Sequence, residues 1–340
     1  MPHLFESFTH RGCTFRNRIV FPPIAQDLCS PEGEVTRKLL DHYVARARGG
    51  AGLVMLEHSY VERRGRYSTR QTGLHHDGLV YGLRRVVEAV HDAGVPIGIQ
   101  LAHAGARACA ADNHEPAVGP SAVTQPGGEP APRALGAAEI TEVCARFAAA
   151  ARRALAAHFD VVEIHGAHGF LLSEFLSPLT NQRTDRHGGD LDGRSRLLRE
   201  VVAAVRAVVG ETPLWFRLGA DDRLPGGLTL EEGARVGQAL AAAGVDVLDV
   251  SGGLCGSRPP GLPGPGYFAY AARAVKAAAG VPVVAVGGIT DPRDADRLVR
   301  DGACDLVAVG RAILADAEWP AKALDLLGGT ARRDGGPGSR

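Results

Sequence analysis

Residues 163–170 read Glu-Ile-His-Gly-Ala-His-Gly-Phe. Two imidazoles, His165 and His168, stand three apart at the end of an apolar run. That spacing lets two N–H donors reach one point, where they can stabilise an oxygen that gains negative charge. Other apolar runs also end in polar residues. Glu57 and His58 follow GLVML, Gln100 and His103 lie in PIGIQLAH, Arg217 in PLWFRL and Ser251 in DVLDVS. Gly287 and Gly288 follow PVVAV, Gly310 and Arg311 follow DLVAV, and each pair opens onto a helical stretch. One such residue is ordinary structural chemistry. The whole set, gathered at one mouth, is a site.

The elements that would gather them repeat along the chain. Short β-branched runs occupy 17–24, 52–57, 96–102, 160–165, 213–218, 246–251, 282–287 and 305–310. Ala/Leu/Arg-rich helical stretches lie between them at 36–48, 79–92, 138–157, 193–209, 229–242, 267–279 and 292–300. Lead-ins such as DAGVPI and AAGVDV put a glycine where a helix stops before a tight loop. Strands alternating with helices imply parallel βαβ units, and eight nearly continuous apolar strands imply an α/β fold, a closed (β/α)8 TIM barrel. A doubly wound sheet would be expected to carry GxGxxG after its first strand; none is present. The expected barrel spans 1–327 as one domain, and 328–340 is expected to be a mobile tail. The loops 108–136 and 170–192 follow the third and fourth strands, on the face where barrel active sites sit, and read as a lid or wall.

In that fold the glycine loops after strands seven and eight offer backbone N–H groups and helix N-termini to a phosphate, and Arg311 adds a charge-assisted contact. Gln100 can both donate and accept at the edge of a heterocycle, and Arg217 suits a ring position that becomes negative. Flavin mononucleotide satisfies both demands. A sugar phosphate would leave Gln100 and the histidine pair with little to do. Net charge is zero, so neither nucleic acid nor an anionic membrane surface is an expected partner. No apolar run is long enough to span a membrane, and no signal peptide is evident, so the expected location is cytoplasmic. The six cysteines show no CxxC pair, which argues against an iron–sulfur cluster or a structural metal.

The segments RNRIVFPPI, IQLAHAG, EIHGAHGFLLSEFLSPLTNQRTDRHGGDLDGRSR, FRLGADDRLPGGLTLEE and VGGIT…VGRAI resemble the old yellow enzyme family of FMN-dependent ene-reductases, over about residues 4–320. The resemblance implies non-covalent FMN reduced by NADPH or NADH. It implies that Pro22, Pro23, Ile24 and Ala25 line the flavin, that Gln100 and Arg217 contact its pyrimidine side, and that Gly287, Gly288, Gly310 and Arg311 hold its phosphate. Glu57, His58 and Ser251 are further residues expected beside it. His165 and His168 would grip the carbonyl or phenol oxygen of a small-molecule substrate, while hydride passes to the β carbon of an activated alkene. Homo-oligomer formation is left open.

Three residues depart from the family's pattern. Phe170 stands where relatives carry the tyrosine that protonates the α carbon. His58 replaces a small residue, and an imidazole there is expected to act as acid or base, or else only to bond or pack beside the flavin. Ala25 replaces a cysteine or threonine. The arginine after HAG is also displaced, to Arg107. With no tyrosine, alkene reduction is the first expectation; a redox-neutral isomerase or a desaturase on the same flavin site is the second. A flavin-binding protein without turnover is a third, and the histidine pair argues against it.

Overall fold

A computed structural model describes residues 3–128 and 130–328; beyond Gly328 the expected mobile tail lies outside the described residues. Eight parallel strands close into a barrel. They are β1 Ile19–Phe21, β2 Leu53–Tyr60, β3 Ile97–Ala102, β4 Val161–Gly166, β5 Leu214–Gly219, β6 Val247–Ser251, β7 Val283–Val286 and β8 Leu306–Ala308. The pairing of Val307 with Ile19 closes the ring. The helices between them are α1 Arg37–Arg48, α2 Val80–His91, α3 Ala137–Ala156, α4 Leu191–Val209, α5 Leu230–Ala242, α6 Ala269–Ala279 and α7 Pro292–Arg300. Polar caps hold several of their starts. Thr36 accepts from Leu39 N, Asp190 from Gly193 N, and Thr229 with Glu232 forms a reciprocal capping box.

Four features differ from the pattern read in the sequence. A hairpin, Phe8–His10 with Cys13–Phe15, precedes β1. Its Phe15 meets Trp215 edge-on at 6.0 Å between centroids and joins the interior layer of Val20, Leu53, Met55, Val161, Val247, Val284 and Leu306. That layer fills the N-terminal end of the barrel and leaves the other mouth for chemistry. Two short helices, Arg311–Ala315 and Trp319–Leu326, follow β8 and are too brief to show a helical period. The loop 170–192 contains a buried helix, Leu171–Leu176. β2 runs on to Tyr60 and carries a bulge. No helix among the described residues is long and apolar enough to cross a membrane.

Candidate active site

Strand alternation decides what enters the barrel mouth. Above the apolar layer, β4 turns Glu163 and His165 inward, β5 Arg217, β6 Asp249 and Ser251, and β3 Gln100. Register sets Arg217 beside both His165 and Asp249, and Gln100 beside both Glu163 and His58. On β2, alternation from Met55 would turn Glu57 inward. The bulge prevents it: Leu56 pairs with Ile99 and His58 with Gln100, so Glu57 is the extra residue. Glu57 lies buried, accepting from Gln26 N at 2.5 Å and from Thr72 Oγ1 at 2.7 Å. Its carboxyl therefore anchors the loop that carries Pro22–Ala25, and His58 takes the inward place.

The floor of the site is a buried polar layer. Gln100 Nε2 donates to Glu163 Oε1 at 2.6 Å. Arg217 Nε lies 3.4 Å from Asp249 Oδ2 but is not directed as a hydrogen bond, and Arg217 Nε, Glu163 Oε2 and Asp249 Oδ1 are orphaned. Burial, with Asp249 nearby, pushes the Glu163 carboxyl up to about 8. Burial raises Asp249 as well, against the pull of Arg217.

His165 and His168 do meet. Their ring centroids are 5.2 Å apart at 69°. His168 Nε2 sits 2.7 Å from Ser251 Oγ, and its backbone N–H donates to Gly252 O at 3.1 Å. His165 Nδ1 is buried without a partner. His168 and Gly169 both take left-handed φ, 60° and 71°, which turns the chain back so that Phe170 packs 4.7 Å from the His165 ring. Burial first, and then neighbouring positive charge, holds both imidazoles well below 6.5. At neutral pH each is uncharged and supplies one N–H. His58 lies beside them, its ring 6.3 Å from His165 and 5.4 Å from Phe170, and burial pushes it down to about 4. That direction favours the uncharged ring at neutral pH.

The wall joins Arg107, the displaced arginine after HAG, to Gln125 and Tyr67, which no motif announced. Gln125, from the long loop 108–136, donates to Gly169 O at 2.8 Å and to Glu174 Oε1 at 2.7 Å, and Ala106 N donates to the other Glu174 oxygen. Arg107 packs beside Gly169, where an added Cβ would come within 3.2 Å of its Nε. Tyr67 packs 5.5 Å from Phe170. His103 turns away from the mouth. Its Nδ1 accepts from Gly105 N at 3.0 Å, and its Nε2 lies 2.9 Å from Glu62 Oε1 without the direction of a hydrogen bond.

These buried carboxyls make stability depend on pH. Burial pushes Glu57 up to about 7 and Glu174 up to about 8, like Glu163. The folded chain keeps their protons where the unfolded chain has released them, near the ordinary value of 4.5. Their contribution is therefore complete below that value and is lost as pH rises through the folded values. The depressed histidines act in the opposite sense, but only below their ordinary 6.5. Melting temperature is accordingly expected to fall between about pH 6.5 and about pH 8.5, and Glu174→Gln to flatten part of that fall in a pH series of thermal melts.

The residues expected at the phosphate lie in the loops after β7 and β8. Gly287 and Gly288 have φ of 126° and 64°, and a Cβ on either would strike the Tyr267 ring, at 2.7 and 2.9 Å. A Cβ on Gly310 would come within 2.9 Å of Ile24 Cδ1 and 3.4 Å of Pro22 Cγ. Arg311 Nη2 lies 3.5 Å from the Tyr267 hydroxyl. Only glycine combines these φ values with so close an approach of the Tyr267 ring. Tyr267 escaped the sequence reading; its one signal is an aromatic residue closing the Pro/Gly-rich run 258–266.

The sequence profile of the NADH:flavin oxidoreductase / NADH oxidase family matches residues 3–327. The chain belongs to this family, the old yellow enzymes. It is 41% identical over 330 residues to an NADH oxidase of Thermoanaerobacter brockii, covering 95% of this chain but 50% of that one. It is 39% identical to an NADPH dehydrogenase of Geobacillus sp. (strain WCH70), covering 96% of this chain and 95% of that one. Its fold superposes on an old yellow enzyme homologue from Zymomonas mobilis with a TM-score of 0.85 and 26% identity, covering 96% and 93% of the two chains. The cofactor of this old yellow enzyme is non-covalent FMN, with NADPH or NADH as electron donor. The residues present fit that group: Arg217 Nε is buried without a partner, Gln100 donates through Nε2 and keeps an acceptor oxygen, and Gly287, Gly288 and Gly310 lie where no side chain could.

Proposed function

We propose that this old yellow enzyme reduces an activated C=C bond, in an α,β-unsaturated carbonyl compound, at the expense of NADPH or NADH. The observation that carries the reading is the meeting of His165 and His168 as two uncharged N–H donors above the polar floor. Bound FMN supplies the hydride. The chain's part is to hold and polarise. Gln100 and Arg217 would seat the pyrimidine edge of the cofactor. Pro22, Pro23, Ile24 and Ala25 would line it, and Gly287, Gly288, Gly310 and Arg311 would hold its phosphate. His165 and His168 bind the substrate's carbonyl oxygen and stabilise the negative charge that grows there. The same donors suit a phenolate as inhibitor. Residues 3–327 act as one catalytic unit.

The α carbon must still gain a proton. Phe170 has none to give. His58 is uncharged, so solvent entering past half-exposed Tyr67 is the source in this reading. Phe170 also favours a second reading. An enolate that is not promptly protonated can return its hydride, so the same site would serve a redox-neutral isomerase or, run in reverse, a desaturase.

Anaerobic titration with NADPH and then NADH, followed by addition of 2-cyclohexenone, tests the proposal. Bleaching of the flavin band, its return on adding the enone, and a stoichiometric yield of cyclohexanone are expected. A flavin that bleaches but stays reduced in the presence of enones would rule out alkene reduction and favour the second reading.

A further inference from the structure

We propose that Gln71 fixes His58 as a third N–H donor of the substrate site, so that the oxygen of the bound substrate meets donors from β2 as well as from the His165–His168 turn. The inference rests on the reading of the histidine pair as an oxyanion site.

The argument begins with the Gln71 amide, whose orientation two backbone groups decide. Tyr67 N–H can only donate, and it meets one end of the amide at 2.7 Å, so that end is Oε1. The His58 carbonyl can only accept, and it meets the other end at 2.8 Å, so that end is Nε2. Nε2 also lies 2.7 Å from His58 Nδ1. Nδ1 is therefore an acceptor and carries no hydrogen. The single proton of the uncharged ring sits on Nε2, which meets no acceptor among the described residues. The ring lies nearly parallel to His165, at 12°, and edge-on to Phe170 and Tyr67, and the proposal directs its N–H to the space beside these residues.

The arrangement is held from outside. Gln71 is 2% exposed. Its loop is laced to the end of β3 by Ala104 N donating to Gly65 O at 2.8 Å and Cys109 N donating to Arg66 O at 2.9 Å. Arg66 in turn donates to Asn113, Pro31 O and Asp112 O. Gln71 thus acts as a positioning residue. It occupies the nitrogen through which His58 would accept a proton, and so denies it the role of base.

Around the ring, Asp27 favours the charged form and Arg217 opposes it, and His165, His168 and Tyr67 complete its titratable surroundings. Gln71→Glu would put a carboxylate against Nδ1, invite a proton there and raise the imidazole's titration.

The test uses FMN-loaded protein labelled with 15N-histidine. His58→Phe assigns the His58 signals by their loss. The wild type is expected to show an unprotonated Nδ1 and a protonated Nε2, unchanged from pH 5.5 to 8.5, and Gln71→Glu to show a ring that titrates within that range. In parallel, the charge-transfer band of bound 4-chlorophenol is titrated. His58→Phe keeps an aromatic ring without an N–H and is expected to weaken binding about tenfold or more, with flavin content unchanged. A protonated Nδ1 in the wild type, or equal phenol affinity in His58→Phe, would overturn the proposal. A wild type that gives no band with phenols at all would instead overturn the oxyanion reading; the nitrogen signals then still decide the state of His58.

Discussion

His165→Ala and His168→Ala are each expected to lower kcat/KM on an enone by about 10²–10³-fold, the usual worth of one donor aimed at a developing oxyanion. The two donors serve one oxygen, so the double variant is expected to lose less than the product of the single losses. Flavin content is expected to hold, because neither imidazole has a partner in the floor layer that seats the ring: His168 leans on Ser251, and His165 Nδ1 has no partner. The phenol charge-transfer band is expected to vanish in the double variant. Retention of both band and turnover would remove the histidine pair from the chemistry and move the search to Tyr67 and the outer loops.

Phe170→Tyr is the second large effect, and it is a gain. A positioned acid contributes about 10²–10⁴-fold to a step that needs its proton. Phe170 lies against His58, His165 and Tyr67 and caps the helix Leu171–Leu176 with extended backbone, φ −78° and ψ 170°. Tyrosine takes the same backbone, and its hydroxyl enters a half-polar space. If protonation of the α carbon limits turnover, saturated product is expected to form at least about tenfold faster, a fraction of what a well-placed acid supplies. Stopped-flow reoxidation of the reduced protein by an enone measures this. An unchanged rate would mean that solvent already protonates the enolate faster than hydride moves.

The contrast between these two sites shows what was legible in the sequence. His165, Arg217, Ser251 and Gln100 could be placed because a strand alternates with period two and ends where its apolar run ends. The barrel followed from the same rule, with glycines marking where helices stop before the next strand. The bulge at Glu57 breaks that rule by one residue. Nothing in GLVMLEHSY says whether Glu57 or His58 turns inward, since either carries a chemically useful side chain. Gln71, Gln125 and Tyr267 were out of reach for another reason. They sit in loops, and their partners are 13 to 49 residues away or are bare backbone. Which of the two roles left open for His58 its surroundings favour could not be read from the sequence. The burial that pushes it down and the amide that occupies its Nδ1 belong to the folded state alone.

Deuterium tracing tests the central claim most directly. The protein is given NADPH carrying deuterium at the transferred nicotinamide position, with 2-cyclohexenone in ordinary water, and the product is read by mass and by NMR. The account predicts cyclohexanone with deuterium on the β carbon alone and hydrogen on the α carbon. Deuterium anywhere else, or oxidation of NADPH without a saturated ketone, would contradict it.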